Sequence, residues 1–261
     1  MDLDLTGRHA LVCGASEGIG RAAAHELALL GADVTVLARR EAALRDVLAD
    51  LPRSASQRHG VLAVDMSDSG ALRGEAAALA QRQPVHILIN NTGGPPGGPI
   101  ATATPEAFLA AFAQHLLAGQ ALVQVLLPAM QAASWGRVVN VISTSVKEPI
   151  AGLGVSNTTR GAVAAWAKTL SREVASQGIT VNNVLPGFTQ TGRIRQIVAD
   201  RAAAGGQSEE AVAEAMRATV PARRFAQPAE VAAAIAFLCT PAAAYINGVS
   251  LQVDGGRMHS I

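Results

Sequence analysis

The stretch His-Ala-Leu-Val-Cys-Gly-Ala-Ser-Glu-Gly-Ile-Gly, residues 9–20, decides the fold of this chain. Its first five residues form a nearly continuous apolar run, which is typical of a strand buried on both faces. Gly14, Gly18 and Gly20 follow at once, and glycines permit a tight turn and a close approach of backbone to a ligand. A helix that starts there would direct its N-terminus at an anion. The spacing G-x-x-x-G-x-G therefore predicts a strand, a turn and a helix that hold the pyrophosphate of a dinucleotide. The alternative is a glycine-rich turn without a ligand.

Outward from this unit, short runs rich in Val, Ile and Leu alternate with alanine-rich helical stretches. Further strands are predicted at 33–37, 61–64, 85–89, 137–142, 179–185 and 249–253. Helices are predicted at 21–30, 42–48, 105–130, 160–176 and 228–238. Alternation of this kind requires right-handed crossovers and gives a parallel sheet. The sequence predicts a single doubly wound, Rossmann-type α/β domain over residues 1–261 with a seven-stranded parallel sheet.

Composition limits the classes of function. The chain has 261 residues, of which 49% are hydrophobic and 16% charged, so a large core is expected. A net charge of +1 gives no electrostatic reason for binding nucleic acid or an anionic membrane. Cys13 and Cys239 have no metal-binding or redox spacing, and the apolar stretch 116–130 is too short to span a bilayer. We expect a cytoplasmic protein with no metal site.

Two segments are candidates for shaping a substrate pocket. Residues 93–99, Gly-Gly-Pro-Pro-Gly-Gly-Pro, have the composition of a linker. They follow a predicted strand at the edge of the sheet where ligands bind, which favours a rigid active-site loop. Residues 192–221 form a long polar and helical insertion whose length suits a lid over the pocket, and a surface excursion without a role is the alternative.

Several motifs together resemble the short-chain dehydrogenase/reductase family, over essentially the whole chain. They are the glycine pattern, Asp65, Asn90-Asn91-Thr92-Gly93, Pro186-Gly187 with Thr189 and Thr191, and Val253-Asp254-Gly255-Gly256. The resemblance implies that Asp65 contacts adenine and that Pro186-Gly187 touches the nicotinamide end. The predicted dinucleotide-binding residues are Gly14, Ser16, Glu17, Gly18, Ile19, Gly20, Arg39, Asp65, Asn90, Gly93, Pro186, Gly187, Thr189 and Thr191.

The residues after the second predicted strand indicate which dinucleotide is bound. A protein that prefers NAD needs a carboxylate there for the ribose 2′-hydroxyl, whereas this chain has Leu37-Ala38-Arg39-Arg40. Arg39 can pair with a 2′-phosphate through its planar set of donors. Glu17 weakens the case, because NADP-preferring relatives often carry a basic residue at that position. We expect NADP(H) rather than NAD(H); the alternative is that Arg39 and Arg40 are solvated charges.

The catalytic positions depart from the family pattern of Asn, Ser, Tyr and Lys. By the resemblance, Ser143 matches the serine that hydrogen-bonds the substrate oxygen, while Ser156, Arg160 and His115 stand where tyrosine, lysine and asparagine are expected. A serine hydroxyl is a far weaker acid than a phenol and is too short to replace one directly. Arginine keeps its proton, although it can grip ribose hydroxyls or orient an anion. The single tyrosine, Tyr245, is distant in sequence.

A different group must then donate a proton, if one is donated. His115 is the best candidate because histidine titrates near neutral pH, and a helix histidine that contacts a backbone carbonyl is the alternative. Lys147 and Glu148, just after Ser143, are weaker candidates.

The resemblance implies an NAD(P)(H)-dependent oxidoreductase with a degenerate catalytic tetrad, acting on the carbonyl/alcohol pair of a modest, partly apolar small molecule. Two alternatives remain open: a catalytically silent nucleotide-binding protein, and an enzyme with altered, non-hydride chemistry. The alanine-rich stretches 105–130 and 160–176 carry more apolar surface than one sheet face needs. A homo-oligomer, either a dimer or a tetramer, is therefore expected.

Overall fold

The computed structural model describes residues 1–260 and contains one parallel sheet. Its strands are β1 (His9–Cys13), β2 (Asp33–Ala38), β3 (Gly60–Ala63), β4 (Ile87–Asn90), β5 (Gly136–Val141), β6 (Ile179–Pro186) and β7 (Ser250–Val253). They lie in the order β3-β2-β1-β4-β5-β6-β7, and every neighbouring pair is parallel. The predicted fold class, a seven-stranded doubly wound sheet, is confirmed.

Helices cover both faces of the sheet. They are α1 (Gly18–Leu29), α2 (Glu41–Asp50), α3 (Ser69–Arg82), α4 (Pro105–Phe112), α5 (Ala118–Ala132), α6 (Gly154–Val174), α7 (Gly192–Gly205), α8 (Glu209–Ala218) and α9 (Pro228–Cys239). A π-helical turn, Ala113–Leu117, joins α4 to α5 within the predicted helical stretch 105–130. A turn of this kind locally widens the helix and is common near functional sites.

The core lies in two layers because the strands are buried on both faces. On one side, Val12, Val34 and Val36 of the strands pack in a cluster with residues of α1 and α9. On the other side, Leu11 and Leu37 belong to a cluster with residues of α3, α5 and α6. Successive strand residues point to opposite faces, so both layers need apolar side chains and the strands read as unbroken apolar runs.

The helical run that includes α4 and α5 corrects one expectation. Pro105–Ala132 is 28 residues long with a mean hydropathy of 1.4 in its most apolar window, so its length and composition suffice to cross a membrane. The expectation that the apolar stretch here is too short is therefore wrong. Leu122, Leu126 and Met130 of this run are buried against the sheet.

The strand order positions the ligand site. The chain moves outward from β1 to β3 on one side, then returns to β4 on the other side of β1. Such a reversal opens a crevice outside the carboxyl ends of the strands, where open α/β sheets bind ligands. The loops after β1, β2 and β3 lie on one half of this crevice, and those after β4, β5 and β6 lie on the other.

Candidate active site

A cleft of about 440 Å³ lies at the carboxyl edge of the sheet. The predicted site residues that line it are Gly14, Ser16, Glu17, Gly18, Ile19, Arg39, Asp65, Gly93, Ser143, Ser156, Arg160, Pro186, Gly187, Thr189 and Thr191. Gly20, Asn90 and His115 do not line the cleft. The structure thus brings together residues from the loops after six strands, as the strand order requires.

The glycine loop is shaped to receive an anion. Helix α1 begins at Gly18, and its N-cap residue Glu17 makes no side-chain hydrogen bond to the first turn. The first amide N–H groups of α1 therefore remain available to a ligand. Gly14 and Gly18 have φ values of +59° and +58°, which other residues adopt at a cost. Gly20 does not line the cleft. A Cβ there would overlap the carbonyl oxygen of Gly14, so this glycine serves the packing of the turn.

The two asparagines at the end of β4, Asn90 and Asn91, have different tasks. Asn91 Nδ2 lies 3.3 Å from Cys13 O and 3.2 Å from Gly14 O, so this side chain fastens the glycine loop. Asn90 instead donates to Asn140 Oδ1 at 2.9 Å inside the sheet, and Asn140 donates to Asn183 at 3.0 Å. The prediction that Asn90 contacts the dinucleotide does not fit this buried position. Asn91 was missed, although it stands in the same Asn-Asn-Thr-Gly motif.

Arg39 and Asp65 meet at the rim of the other half of the cleft. Arg39 Nη1 lies 3.9 Å from Asp65 Oδ2, and the Arg39 side chain is 77% exposed. Asp65 Oδ1 accepts from the backbone N and the hydroxyl of Ser67 at 2.9 and 2.7 Å. These hydrogen bonds, and then Arg39, hold the pKa of Asp65 below its ordinary value. A solvent-facing guanidinium at this rim fits the 2′-phosphate of NADP, since Arg39 and Arg40 directly follow β2, where an NAD-binding protein needs a carboxylate.

Ser143 lies two residues after β5 and lines the cleft. Its Oγ accepts a hydrogen bond from the Ser145 backbone N at 3.1 Å. The hydroxyl proton is therefore free to be donated to a ligand oxygen. This is the geometry that the resemblance implies for the serine.

Ser156 and Arg160 are one turn apart on α6, so both face the cleft. Arg160 is 7% exposed, and its Nη1 donates to Val141 O at 3.0 Å. None of the ion pairs within residues 1–260 includes Arg160. Burial, and then the nearby charge of Arg193, lowers the pKa of Arg160 to about 10, so the group stays charged at neutral pH.

His115 lies behind the cleft wall. It sits in the π-helical turn, is 6% exposed, and its Nδ1 makes a short hydrogen bond with the hydroxyl of Thr92, which does line the cleft. Burial, and then Arg160, lowers the pKa of His115 to about 3. The prediction of direct proton donation by His115 does not fit, because the imidazole is neutral at pH 7 and Thr92 stands between it and a ligand. The backbone carbonyl contact considered as its alternative is not the partner either.

The weaker candidates for a proton donor also lie outside the lining. Lys147 and Glu148 do not line the cleft. The carboxylate of Glu148 accepts from the backbone N of His259 and Ser260 at 2.8 and 2.7 Å. Tyr245 is fully exposed and is not part of the cleft either. The cleft therefore has no phenol.

The segment 192–221 forms two helices beside the cleft. Gly192, Arg193, Ile194 and Ile197 of α7 line it, and a small apolar cluster that includes Val198 and Met216 joins α7 to α8. Arg193 Nη2 donates to Pro95 O at 2.8 Å and so connects α7 to the loop 93–99. A role for this helix pair as a lid stays a prediction.

Besides Asn91, the cleft side chains that the sequence did not predict include Thr92, Phe188, Arg193 and Arg257. Thr92 and Phe188 lie within motifs that were recognised, so their positions carried a usable signal. Arg257 stacks on the Phe188 ring at 4.3 Å from its centroid, a contact between segments that no local pattern indicates. Arg193 opens a helix whose orientation depends on tertiary packing.

Comparison with known proteins bears on both family and cofactor. A profile of the family described as Enoyl-(Acyl carrier protein) reductase matches residues 14–258. The NADPH-dependent reductase BacG of Bacillus subtilis is 31% identical over 262 residues, which cover 98% of this chain and 100% of BacG. The 3-oxoacyl-(acyl-carrier-protein) reductase FabG of Vibrio cholerae is 32% identical over 258 residues, which cover 97% of this chain and 98% of FabG.

Among solved structures, the L-sorbose reductase of Gluconobacter frateurii, complexed with NADPH and L-sorbose, superposes with a TM-score of 0.93. It is 27% identical in sequence, and the match covers 100% of both chains. BacG is named as NADPH-dependent and the sorbose reductase holds NADPH, which supports the expectation of NADP(H) over NAD(H). The full-length matches, on a cleft assembled from the same motifs, show that the chain belongs to the short-chain dehydrogenase/reductase family.

Proposed function

We propose that the protein is an NADPH-dependent reductase that interconverts a carbonyl and an alcohol on a small molecule. The observation that carries this proposal is that the glycine loop at the start of α1 and the hydroxyl of Ser143 open into one cleft. A dinucleotide held by the first would present its reactive end near the second, because the loops lie on opposite halves of the same crevice.

The chain's own residues divide the work of holding the cofactor. The free amides of the first turn of α1 would take the pyrophosphate, Arg39 the 2′-phosphate and Asp65 the adenosine. Pro186 and Gly187 line the half of the cleft formed by the loops after β4, β5 and β6, and they would border the nicotinamide end. NADPH, when bound, supplies the hydride.

The remaining task of the protein is to orient the carbonyl and provide a proton. The Ser143 hydroxyl would donate to the substrate oxygen, with the Thr92 hydroxyl on the neighbouring loop as a second polar contact. Ser156 and Arg160 replace the phenol and ammonium of the family pattern, and neither is a ready acid at neutral pH. We infer that the proton comes from a water molecule held by the hydroxyls of Ser143, Thr92 and Ser156. Loss of a positioned general acid typically lowers the rate by about 10²–10⁴-fold.

A second candidate is a nucleotide-binding protein without turnover, or one with non-hydride chemistry. The observation in its favour is that the cleft lining holds no tyrosine, while His115 is neutral and shielded by Thr92. This candidate shares the nucleotide site with the first and differs in whether bound NADPH transfers its hydride.

One experiment separates the two candidates. NADPH and NADH are titrated into the protein and followed by calorimetry, and the complex is then offered a panel of ketones and aldehydes while NADPH absorbance is recorded. Binding with slow oxidation of NADPH supports the reductase. Binding without any turnover favours the second candidate, and no binding of either dinucleotide would contradict both.

Three broader expectations stay proposals. We propose a homo-oligomer, with the exposed apolar side chains Leu109 and Leu117 of the α4–α5 run at an interface. The helices α7 and α8 are proposed to act as a lid over the substrate. A cytoplasmic location is proposed from the sequence alone.

A further inference from the structure

The half of the cleft formed by the loops after β4, β5 and β6 carries an excess of positive charge. Arg160, Arg193 and Arg257 line it. The acidic residues among the lining side chains are Glu17 and Asp65, which follow β1 and β3. Glu17 lies close to the start of α7, with Oε1 3.5 Å from the place of a Cβ on Gly192. Three guanidinium groups thus lie where a substrate would sit, and no residue that follows β4, β5, β6 or β7 adds a carboxylate to the lining.

Arg160 is the most unusual of the three. Only 7% of the residue is exposed, and its one hydrogen bond goes to the neutral carbonyl of Val141. Its other N–H donors are not among the fully buried side-chain atoms that lack a hydrogen-bond partner within residues 1–260. They are therefore accessible from the cleft that the residue lines. A buried charge is strongly unfavourable unless an opposite charge compensates it. Ribose hydroxyls could satisfy the donors of Arg160 but could not neutralise its charge.

Arg193, on α7, lines the same half of the cleft. It uses one donor on Pro95 O at 2.8 Å and lies close enough to Arg160 for the two charges to repel. Arg257 is different, because Asp254 and Glu148 lie near it and its guanidinium stacks on Phe188. Neither Arg160 nor Arg193 has an ion-pair partner within residues 1–260. Arg160 is buried and Arg193 is exposed to solvent, and each retains donors suited to the two oxygens of a carboxylate.

We propose that the substrate is an organic anion whose carboxylate is held between Arg160 and Arg193, with its apolar part against Ile150, Leu153 and Phe188. This inference rests on the proposed function, since it names the substrate class of the same site. It replaces the expectation of a merely modest, partly apolar substrate by a charged one. The competing assignment gives Arg160 to ribose hydroxyls and predicts no preference for an anion.

The test compares an acid with its uncharged ester. We would use 2-oxo-4-phenylbutyrate and its ethyl ester, which share the ketone and the ring and differ in charge. Each is titrated by calorimetry into protein saturated with NADP⁺, which has no hydride to transfer, and into protein without nucleotide. Charge-assisted hydrogen bonds of the expected kind correspond to an affinity for the acid about 10- to 100-fold higher than for the ester.

Variants locate the effect. Arg160→Met and Arg193→Met should each bring the affinity for the acid down toward that of the ester, while leaving the ester unchanged. Arg172→Met, an exposed arginine on α6, and Arg195→Met, on α7 but outside this cleft lining, are matched controls that should keep the preference. Should Arg160→Met fail to fold, the wild-type comparison and Arg193→Met still decide the matter.

The outcomes separate this inference from the proposed function. Equal affinity of the wild type for acid and ester, or a preference that survives Arg160→Met, would overturn the anion site even if NADPH binds and the ester is reduced. If the neutral N-acetylcysteamine thioester of 3-oxobutanoate binds more tightly than 2-oxo-4-phenylbutyrate, the anion site would be overturned in favour of a thioester substrate. An Arg160-dependent preference for the acid in a protein that binds no NADPH would sustain the anion site and remove the reductase.

Discussion

The hydroxyl of Thr92 separates His115 from the cleft and hydrogen-bonds the imidazole at Nδ1. Nε2 of His115 is buried and has no partner among residues 1–260. The imidazole can therefore reach the cleft only through Thr92, whose hydroxyl it hydrogen-bonds. This arrangement also makes His115 a source of acid sensitivity.

The stability of the fold should depend on pH through His115. Its pKa is about 3 in the folded protein, against 6.5 in an exposed chain, so below pH 6.5 the unfolded state binds a proton that the folded state refuses. The stability that the neutral, buried His115 contributes to the fold is fully present above pH 6.5 and is lost as the pH falls toward 3. Between pH 7 and pH 5, the free energy of unfolding measured with urea should fall by about 2 kcal/mol more in the wild type than in His115→Asn.

An exposed histidine provides the control for this measurement. His25→Asn should lose as much free energy of unfolding as the wild type over the same interval, because His25 is exposed on α1. An equal loss in His115→Asn would show that His115 accepts a proton freely in the folded protein.

Gly18→Val should weaken NADPH binding at least about tenfold while the protein stays folded. Gly18 has φ +58°, a conformation that costs a β-branched residue about 1–2 kcal/mol, and a Cβ there would lie 3.1 Å from the Thr191 methyl group. Fluorescence titration with NADPH gives the affinity. Gly206→Val has a similar positive φ of +61° in the α7–α8 loop and open space around it, so it should keep wild-type affinity. Equal affinities of all three proteins would exclude the loop as the pyrophosphate site.

Arg39→Asp should shift the preference from NADPH toward NADH. A carboxylate at this rim repels a 2′-phosphate and accepts from a free 2′-hydroxyl, and loss of one charge-assisted contact corresponds to about 10- to 100-fold in affinity for NADPH. Arg45→Asp is the control, because Arg45 pairs with Glu41 on α2 and lies outside the cleft lining. If the wild type binds NADH more tightly than NADPH, Arg39 is a solvated charge.

Local patterns sufficed for one part of the site and failed for the other. The glycine loop, Ser143 and Pro186-Gly187 could be predicted because each directly follows a strand, and all parallel strands end at the same edge. The position of His115 could not be, because it depends on a π-helical turn and on Thr92 from another loop. Arg193 and Arg257 also escaped prediction, since helix orientation and the path after β7 bring them to the cleft. Asn90 does not line the cleft, because its side chain is buried in the sheet and donates to Asn140 on β5.

Restoring the family pair should raise turnover. Ser156→Tyr with Arg160→Lys places a phenol and an ammonium one turn apart on α6, facing the cleft as the present side chains do. If the pocket keeps the family geometry, reduction of the neutral ethyl 2-oxo-4-phenylbutyrate should accelerate by up to about 10²–10⁴-fold in kcat. The single variant Ser156→Ala is the comparison and should lower kcat rather than raise it, because it removes a hydroxyl that holds the proposed water. A double variant that binds NADPH and yet reduces no carbonyl would show a pocket arranged for other chemistry.

The assembly state should respond to the outer face of the α4–α5 run. Leu109 and Leu117 are 70% and 55% exposed, and large apolar side chains exposed on one helical run indicate a contact surface. Sedimentation at micromolar concentration should give the mass of a dimer or tetramer. The double variant Leu109→Glu with Leu117→Glu should sediment with a lower mass, because its copies associate less. Leu29→Glu, at an exposed leucine on α1, is the control. A monomeric wild type would contradict the proposed oligomer.

The hydrogen bond from Arg193 to Pro95 joins segments almost a hundred positions apart in the chain. The loop 93–99 contains four glycines and three prolines and so has few side chains of its own with which to anchor itself. Backbone hydrogen bonds hold its Gly98 end to Gly152 and Gly154, while the Arg193 contact holds Pro95 to α7. The first half of the loop and α7 should therefore open and close as one cooperative unit. Hydrogen–deuterium exchange would register this linkage as a shared opening rate for the amides of Gly93, Gly94 and the first turn of α7, which separates into two rates once Arg193 is removed.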